Sequence, residues 1–345
     1  MTPLKTSWQA PSNIAIIKYW GKYGNQLPRN ASLSFTLENA KTITTLTGEE
    51  KYASTNIDLV FLLDKVENQK FGQRISKWFE TLLPYFPFLK EFKWVIESSN
   101  TFPHSSGIAS SASGMAALAL CLCDIASHFK SRSLETLTFD QKASFIARLG
   151  SGSASRSIIP FLSVWGKHSE VLSSSDEYAV NIDIPSVVRT YRDTILIVSP
   201  DEKSVSSSVG HGLMDLNPFS TARYVQANTN LTLLLDTLSQ EDVHGFGKIA
   251  ESEALTLHAL MMCSDPSFIL MKPQTLKIIE KIRLFRNETN LPVYFTLDAG
   301  PNIHVLYPQT VEPEVLPFIK SELLSSCHDG KILYDKVGKG PEKLS

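Results

Sequence analysis

The chain has 345 residues, 43% hydrophobic and 20% charged, with 33 Lys and Arg against 35 Asp and Glu for a net charge of -2. That length exceeds one small core and predicts two medium domains. The even scatter of Lys and Arg among Asp and Glu excludes the basic face or tail expected of a nucleic-acid binder, so an anionic ligand must be met by a local cluster of cations.

The opening MTPLKTSWQAPSN has one Lys and no apolar core of signal-peptide length. The most apolar stretch, Met115 to Ala126, is interrupted by Asp124, so a cytoplasmic protein without a membrane partner is expected. From Ser32 to Thr47 apolar and polar residues alternate around a polar break at Glu38-Asn39, which predicts two adjacent strands, followed by another at 58–63. Phe71, Ile75, Trp78, Phe79 and Leu82 then mark an amphipathic helix ended by Pro84, with a strand over 92–96 beyond it.

Residues 110–129 are rich in Ala, Leu, Met and Cys and predict a helix buried on most sides. Cys121 and Cys123 fall on different faces of it and, with Cys263 and Cys327, read as reduced, buried thiols. A further helix is predicted from Asp140, placed as its cap, to Leu149, stopping at Gly150. After a strand at 193–199 come three helices, 220–238, 242–263 and 273–289, the last with Pro273 in its first turn. Strands PVYFTLD and NIHVLY flank an Ala-Gly-Pro turn. Strands first, helices later and a closing strand pair predict an α+β chain with a change of domain near residue 190.

Four segments carry candidate chemistry. PHSSGIASSASG, residues 103–114, leads small residues into the buried helix, where free backbone N–H groups and the helix dipole suit phosphate; such a junction also serves close helix packing. Lys18 and Lys22 lie one turn apart around Tyr19, which reads either as a solvated basic turn or as a pair awaiting an anion or carboxylate. GSGSASRS, residues 150–157, delivers Arg156, whose planar fork suits a carboxylate or phosphate, or is simply a Ser-rich turn. LDAGPN, residues 297–302, places Asp298 at a strand end before a sharp turn, a position where Asp is also a common cap. No HExxH or paired metal spacing is present among the eight histidines, so magnesium carried on a nucleotide is the metal to expect.

Together with LPRNASLSFTL and the 203–212 stretch KSVSSSVGHG, these segments resemble the diphosphomevalonate decarboxylases of the GHMP kinase superfamily across almost the whole chain. The resemblance implies a two-domain GHMP kinase fold: a ribosomal protein S5 domain 2-like amino-terminal domain, residues 1–190, and a ferredoxin-like carboxyl-terminal domain, residues 191–330. A final strand within about 331–345, seen in ILYDKVGKGP, would return to the first domain. The resemblance further implies a catalytic trio of Asp298, Lys18 and Arg156, and substrate contacts from Asn13, Tyr19, Lys22, Ser151, Ser153, Arg156 and Ser207. ATP would lie along Ser98, Ser105, Ser106, Gly107, Ala109, Ser110 and Ser111, with Mg2+ held through its phosphates and Ser111 a candidate ligand.

The implied reaction is phosphorylation of the 3-hydroxyl of mevalonate 5-diphosphate, then loss of phosphate and carbon dioxide, in a homodimer. Rival readings are a decarboxylase of mevalonate 5-phosphate giving isopentenyl phosphate, a small-molecule kinase that stops after phosphoryl transfer, and a silent nucleotide-binding paralogue. Departures from the family pattern are Ile158-Ile159-Pro160 for a Gly-Gly pair, His104-Ser105 for Thr-Ala, and Leu149 and Ser155 around the Arg156 loop.

Overall fold

In the computed structural model, which describes residues 4–51, 56–102, 110–129, 134–200 and 207–345, the first unit begins with β1 (Leu4–Ile17), β2 (Lys22–Tyr23), β3 (Leu27–Pro28), β4 (Ser32–Glu50), β5 (Asp58–Leu63) and β6 (Val66–Glu67). Helix α1 (Gln69–Leu82), β7 (Phe92–Asn100), α2 (Ser110–Ala126), α3 (Phe139–Gly150), β8 (Leu162–Trp165), β9 (Val180–Asn181) and the short α4 (Ser186–Arg189) follow. The second unit runs β10 (Arg192–Leu196), α5 (Ser207–Gly212), α6 (Ser220–Ser239), α7 (Val243–Met262), α8 (Pro273–Thr289), β11 (Tyr294–Thr296), β12 (Ile303–Tyr307) and α9 (Glu312–Phe318). Strands β13 (Ile332–Lys336) and β14 (Glu342–Lys343) close the chain.

Two sheets organise these elements into an α+β pair of units. The first sheet runs β14-β1-β4-β7-β5-β6, with β8 pairing β4 and β9 pairing β8. The second is an antiparallel β11-β12-β10-β13 ladder. Helix α2 lies on β1 and β4 and against α3. Its run of Ala, Leu and Cys is buried almost throughout, each fully buried Leu contributing about 1.5–3 kcal/mol. Cys121 and Cys123 sit in this core as free thiols, and burial pushes the Cys121 thiol up to about 12.

Three boundaries differ from the sequence expectation, each for a physical reason. The predicted strand pair over 32–47 is one continuous strand, β4. At its polar break the Asp335 carboxylate accepts the N–H groups of Glu38, Asn39 and Ala40 at 2.8–2.9 Å, so the chain bends without ending. The cap of α3 is Thr138, not Asp140: Thr138 Oγ1 accepts the Gln141 N–H while Gln141 Oε1 accepts the Thr138 N–H, a reciprocal capping box. Finally, Ile332–Lys336 pairs with β10 inside the second sheet. The return to the first sheet comes later, through a Leu37–Val337 bridge and then β14 beside β1.

Candidate active site

Lys18 stands just past β1, on the chain that turns toward β2. Its ammonium donates to Asp298 Oδ1 at 2.8 Å, with the Lys18 side chain 2% exposed and that of Asp298 25% exposed. Asp298 occupies the turn after β11. Its carbonyl accepts the Gly300 N–H at 2.7 Å and a hydrogen bond from His258 Nε2 of α7 at 3.1 Å, which requires the proton on that ring nitrogen.

Arg156 rides a 3-10 turn, Gly152–Ile158, that follows α3. It is wholly buried, and burial lowers its pKa to about 10 against the opposing pull of Asp298 and then Tyr19. Its guanidinium Nε donates to Asn13 Oδ1 at 3.2 Å, Nη1 donates to Ser32 Oγ, and the fork lies over the Trp165 ring. Asn13 in turn donates to the Ser153 carbonyl at 3.0 Å and to Ser157 Oγ at 2.8 Å. Asn13 therefore orients Arg156 and pins the loop that carries it. The loop is closed internally as well, since Ser155 Oγ donates to the Gly152 carbonyl at 2.7 Å.

The remaining candidates flank this core. Tyr19 packs between Trp165 and His211, its ring centroids 4.7 and 4.2 Å away. Burial raises its phenol above the ordinary range, with Arg156 and Arg148 opposing. Its hydroxyl is enclosed beside Gly152 with no hydrogen-bond partner among the described residues. Lys22 donates to Gln26 Oε1 at 3.0 Å, and burial, then the Arg74 guanidinium, hold its ammonium below the usual range. Ser151 and Ser153 lie on the Arg156 loop with their hydroxyls 3.5 Å apart.

Ser98, Ser110 and Ser111 line a separate, largely apolar cleft with Phe61, Ile75, Ile96, Met115 and Arg74. His104, Ser105, Ser106, Gly107 and Ala109 lie outside the described residues, as does the side chain of Ser207.

Several site residues escaped sequence reasoning. Arg223 and Glu253 form an ion pair, 1% and 0% exposed, that holds the Lys18 backbone. His211 accepts the Gly21 N–H through Nδ1 at 3.0 Å and stacks on Tyr19 and Trp20. Burial, then Lys22 and Arg156, push its pKa down to about 3, so the ring is neutral and carries its proton on Nε2. Arg74 of α1 brings a third cation beside Lys22. A signal existed for the ion pair: Arg223 falls on the apolar stripe of Ala227, Leu231 and Leu234, and Glu253 on that of Ala250, Ala254 and Leu257. A charge on a buried stripe demands a partner. Nothing in the local sequence marks Arg74, and His211 lies within the 203–212 stretch KSVSSSVGHG without being singled out there.

Of the departures noted in the sequence, those at 149 and 158–160 belong to packing. Ile158, Ile159 and Leu149 enter the first core, and the Pro160 backbone lies against Gly340 so closely that a Cβ there would meet it at 2.9 Å.

Comparison with known proteins places the chain in a family. The diphosphomevalonate decarboxylase-like N-terminal domain model matches residues 10–179, and the mevalonate 5-diphosphate decarboxylase C-terminal domain model matches residues 194–337. The chain belongs to the diphosphomevalonate decarboxylase family. Among members of that family, the diphosphomevalonate decarboxylase of Debaryomyces hansenii is 30% identical, the match covering 100% of this chain and 96% of the relative. The mevalonate diphosphate decarboxylase of Staphylococcus aureus superposes with a TM-score of 0.85 at 28% identity, covering 100% and 99% of the two chains. A complex of MDDEF with MVAPP, AMPPCP and magnesium superposes equally well, at TM-score 0.85 and 29% identity, covering 100% of both chains.

Proposed function

We infer that the chain catalyses the ATP-dependent decarboxylation of mevalonate 5-diphosphate, with magnesium, to isopentenyl diphosphate, ADP, phosphate and carbon dioxide. The observation that carries this reading is the meeting of Asp298, Lys18 and Arg156: a carboxylate in contact with one buried ammonium and in the field of one buried guanidinium. The family membership supports it, and so does the MDDEF complex, which holds MVAPP, an ATP analogue and magnesium in a matching fold.

Asp298 is the acceptor for the proton of the tertiary hydroxyl. Lys18 donates to its Oδ1 at 2.8 Å, which holds the carboxylate in place beside the hydroxyl it would deprotonate. Arg156, oriented by Asn13 and Ser32, is placed to grip the substrate carboxylate so that its bond to carbon aligns with departure of the new phosphate. ATP supplies the phosphoryl group, and magnesium neutralises its phosphates.

The residues fit these ligands. The cleft of Phe61, Ile75, Ile96 and Met115 has the apolar walls a nucleobase needs, and it is also lined by Ser98 of β7 and by Ser110 and Ser111 at the start of α2. We assign the diphosphate to Lys22, Arg74 and Tyr19, with Ser151 and Ser153 of the Arg156 loop; the mutual influence of the Lys22 and Arg74 charges supports this. Three such donors favour the diphosphate over mevalonate 5-phosphate.

Incubation with magnesium-ATP and mevalonate 5-diphosphate, following ADP and carbon dioxide together, tests the reading. ADP without carbon dioxide identifies a kinase that stops early, and faster turnover of mevalonate 5-phosphate identifies the monophosphate enzyme. No described helix is long and apolar enough to cross a membrane. A homodimer is the proposed assembly, and exposed Leu216, Phe219 and Val225 at the start of α6 supply apolar surface for it. Sedimentation at micromolar concentration decides that point.

A further inference from the structure

Lys18 is held at both ends of its own peptide unit. Its N–H donates to Glu253 Oε2 at 2.8 Å, and its carbonyl accepts from Arg223 Nη2 at 3.1 Å and from Asn30 Nδ2 at 3.0 Å. Arg223 and Glu253 are joined by two parallel hydrogen bonds, Nη1 to Oε1 at 2.7 Å and Nη2 to Oε2 at 2.5 Å. Asn230 Nδ2 adds a second donor to Oε1 at 2.7 Å. The pair and the Lys18 backbone thus form one closed ring of hydrogen bonds with almost no exposed surface.

Stability alone is a poor reason for such a ring. Taking two charges out of water offsets most of their attraction, and apolar side chains of similar size commonly serve a core as well. What the fork adds is geometry, because it fixes direction as well as distance. The direction matters here. Lys18 belongs to the end of the first unit's β1, whereas Glu253 belongs to α7 of the second unit. Helix α7 also carries His258, which donates to the carbonyl of Asp298. Both partners of the Lys18–Asp298 contact are therefore referenced to one rigid helix.

We propose that α7 sets the separation of Lys18 and Asp298, with Glu253 and Arg223 as positioning residues for the ammonium and His258 as the positioning residue for the carboxylate. The proposal rests on the decarboxylase reading above, because it assigns these residues a part in that reaction. None of the three needs to touch substrate.

The test compares wild-type enzyme with Arg223→Lys and with the double variant Arg223→Met/Glu253→Leu, which replaces the buried pair by apolar side chains. Thermal unfolding, binding of an ATP analogue, kcat and KM for mevalonate 5-diphosphate, and the pH dependence of kcat are measured for each. Misplacing a reacting group by about 1 Å costs on the order of 100-fold in rate. The expected result is accordingly a kcat lowered roughly 10- to 100-fold, with nucleotide affinity and KM nearly unchanged. The acid limb of the kcat profile should also move to higher pH, because an ammonium drawn back from Asp298 leaves that carboxylate easier to protonate.

A folded double variant with wild-type kcat and an unmoved acid limb overturns the proposal. If the double variant does not fold, Arg223→Lys decides by the same two readouts. A wild type that releases no carbon dioxide overturns the decarboxylase reading and this proposal with it. A turning-over wild type with unaffected variants overturns this proposal alone.

Discussion

Asp298 meets its Lys18 partner at 2.8 Å while keeping a quarter of its side chain open, which is the exposure a base needs to reach a substrate hydroxyl. Asp298→Asn preserves shape and removes the proton acceptor. Turnover should fall by at least ~100-fold, within the range typical of general bases, while calorimetry shows ATP and mevalonate 5-diphosphate still binding. His211 gives a pH prediction of definite sign. Its folded pKa, about 3, lies below the ordinary 6.5, so between these values the unfolded chain binds a proton that the folded chain does not. Its contribution is complete above pH 6.5 and is lost as the pH falls, at about 1.4 kcal/mol per pH unit. Urea unfolding of wild type and His211→Gln at pH 7 and pH 5 should show the wild type losing the more on acidification by roughly 2 kcal/mol. At this scale the three residues of the trio were singled out by the family resemblance, and the structure brings Lys18 and Asp298 into contact. His211 was not singled out, since its neutrality comes from rings and cations that only folding brings around it.

At the scale of the element, α3 and the turn after it set where Arg156 stands. Thr138 and Gln141 start the helix at a defined residue, and Thr138→Ala should cost about 1 kcal/mol in urea unfolding. The spacing of a capping box was present in Thr-Phe-Asp-Gln, yet Asp140 competes with Thr138 as a cap by residue type alone. Gly152 begins the next turn, and a Cβ there would meet Trp165 at 2.9 Å and the Tyr19 hydroxyl at 3.0 Å. Gly152→Ala should destabilise the protein by about 1–3 kcal/mol through overpacking and raise the KM for mevalonate 5-diphosphate, measurable by thermal unfolding and steady-state kinetics. The long helices α6, α7 and α8 were predicted nearly to the residue because their apolar stripes repeat over many turns. Strand β4 was divided in two because its bend is enforced by Asp335, a residue far along the chain.

For the molecule as a whole, the junction of the two units depends on a few long-range contacts. Trp20, just past Lys18, inserts into the second unit among Met214, Leu257, Leu260 and Met261, and it lies so near Gly210 that a Cβ there would approach it at 2.6 Å. Asp335, on β13, holds three amides of β4 and its own neighbour's at Lys336. Asp335→Ala would leave these amides, that of Ala40 buried, without their acceptor, and loss of a buried partner costs about 1–3 kcal/mol. A drop of at least roughly 2 kcal/mol in unfolding free energy is expected, together with weaker substrate binding, because the cleft is formed from both units.

The sequence by itself determined the long helices, the small-residue loops and the chemistry offered by each motif, since periodicity, caps and turn residues act between near neighbours, whereas the strand β1 (Leu4–Ile17) was not predicted. Tertiary structure alone decided which of those groups meet. Lys18 and Asp298 are 280 positions apart in the chain, and Lys18 and the Glu253 that holds its backbone are 235 apart. No local interaction specifies such pairs. They exist because burying apolar faces brings the two units together, and a charge closed inside that contact must find its opposite there.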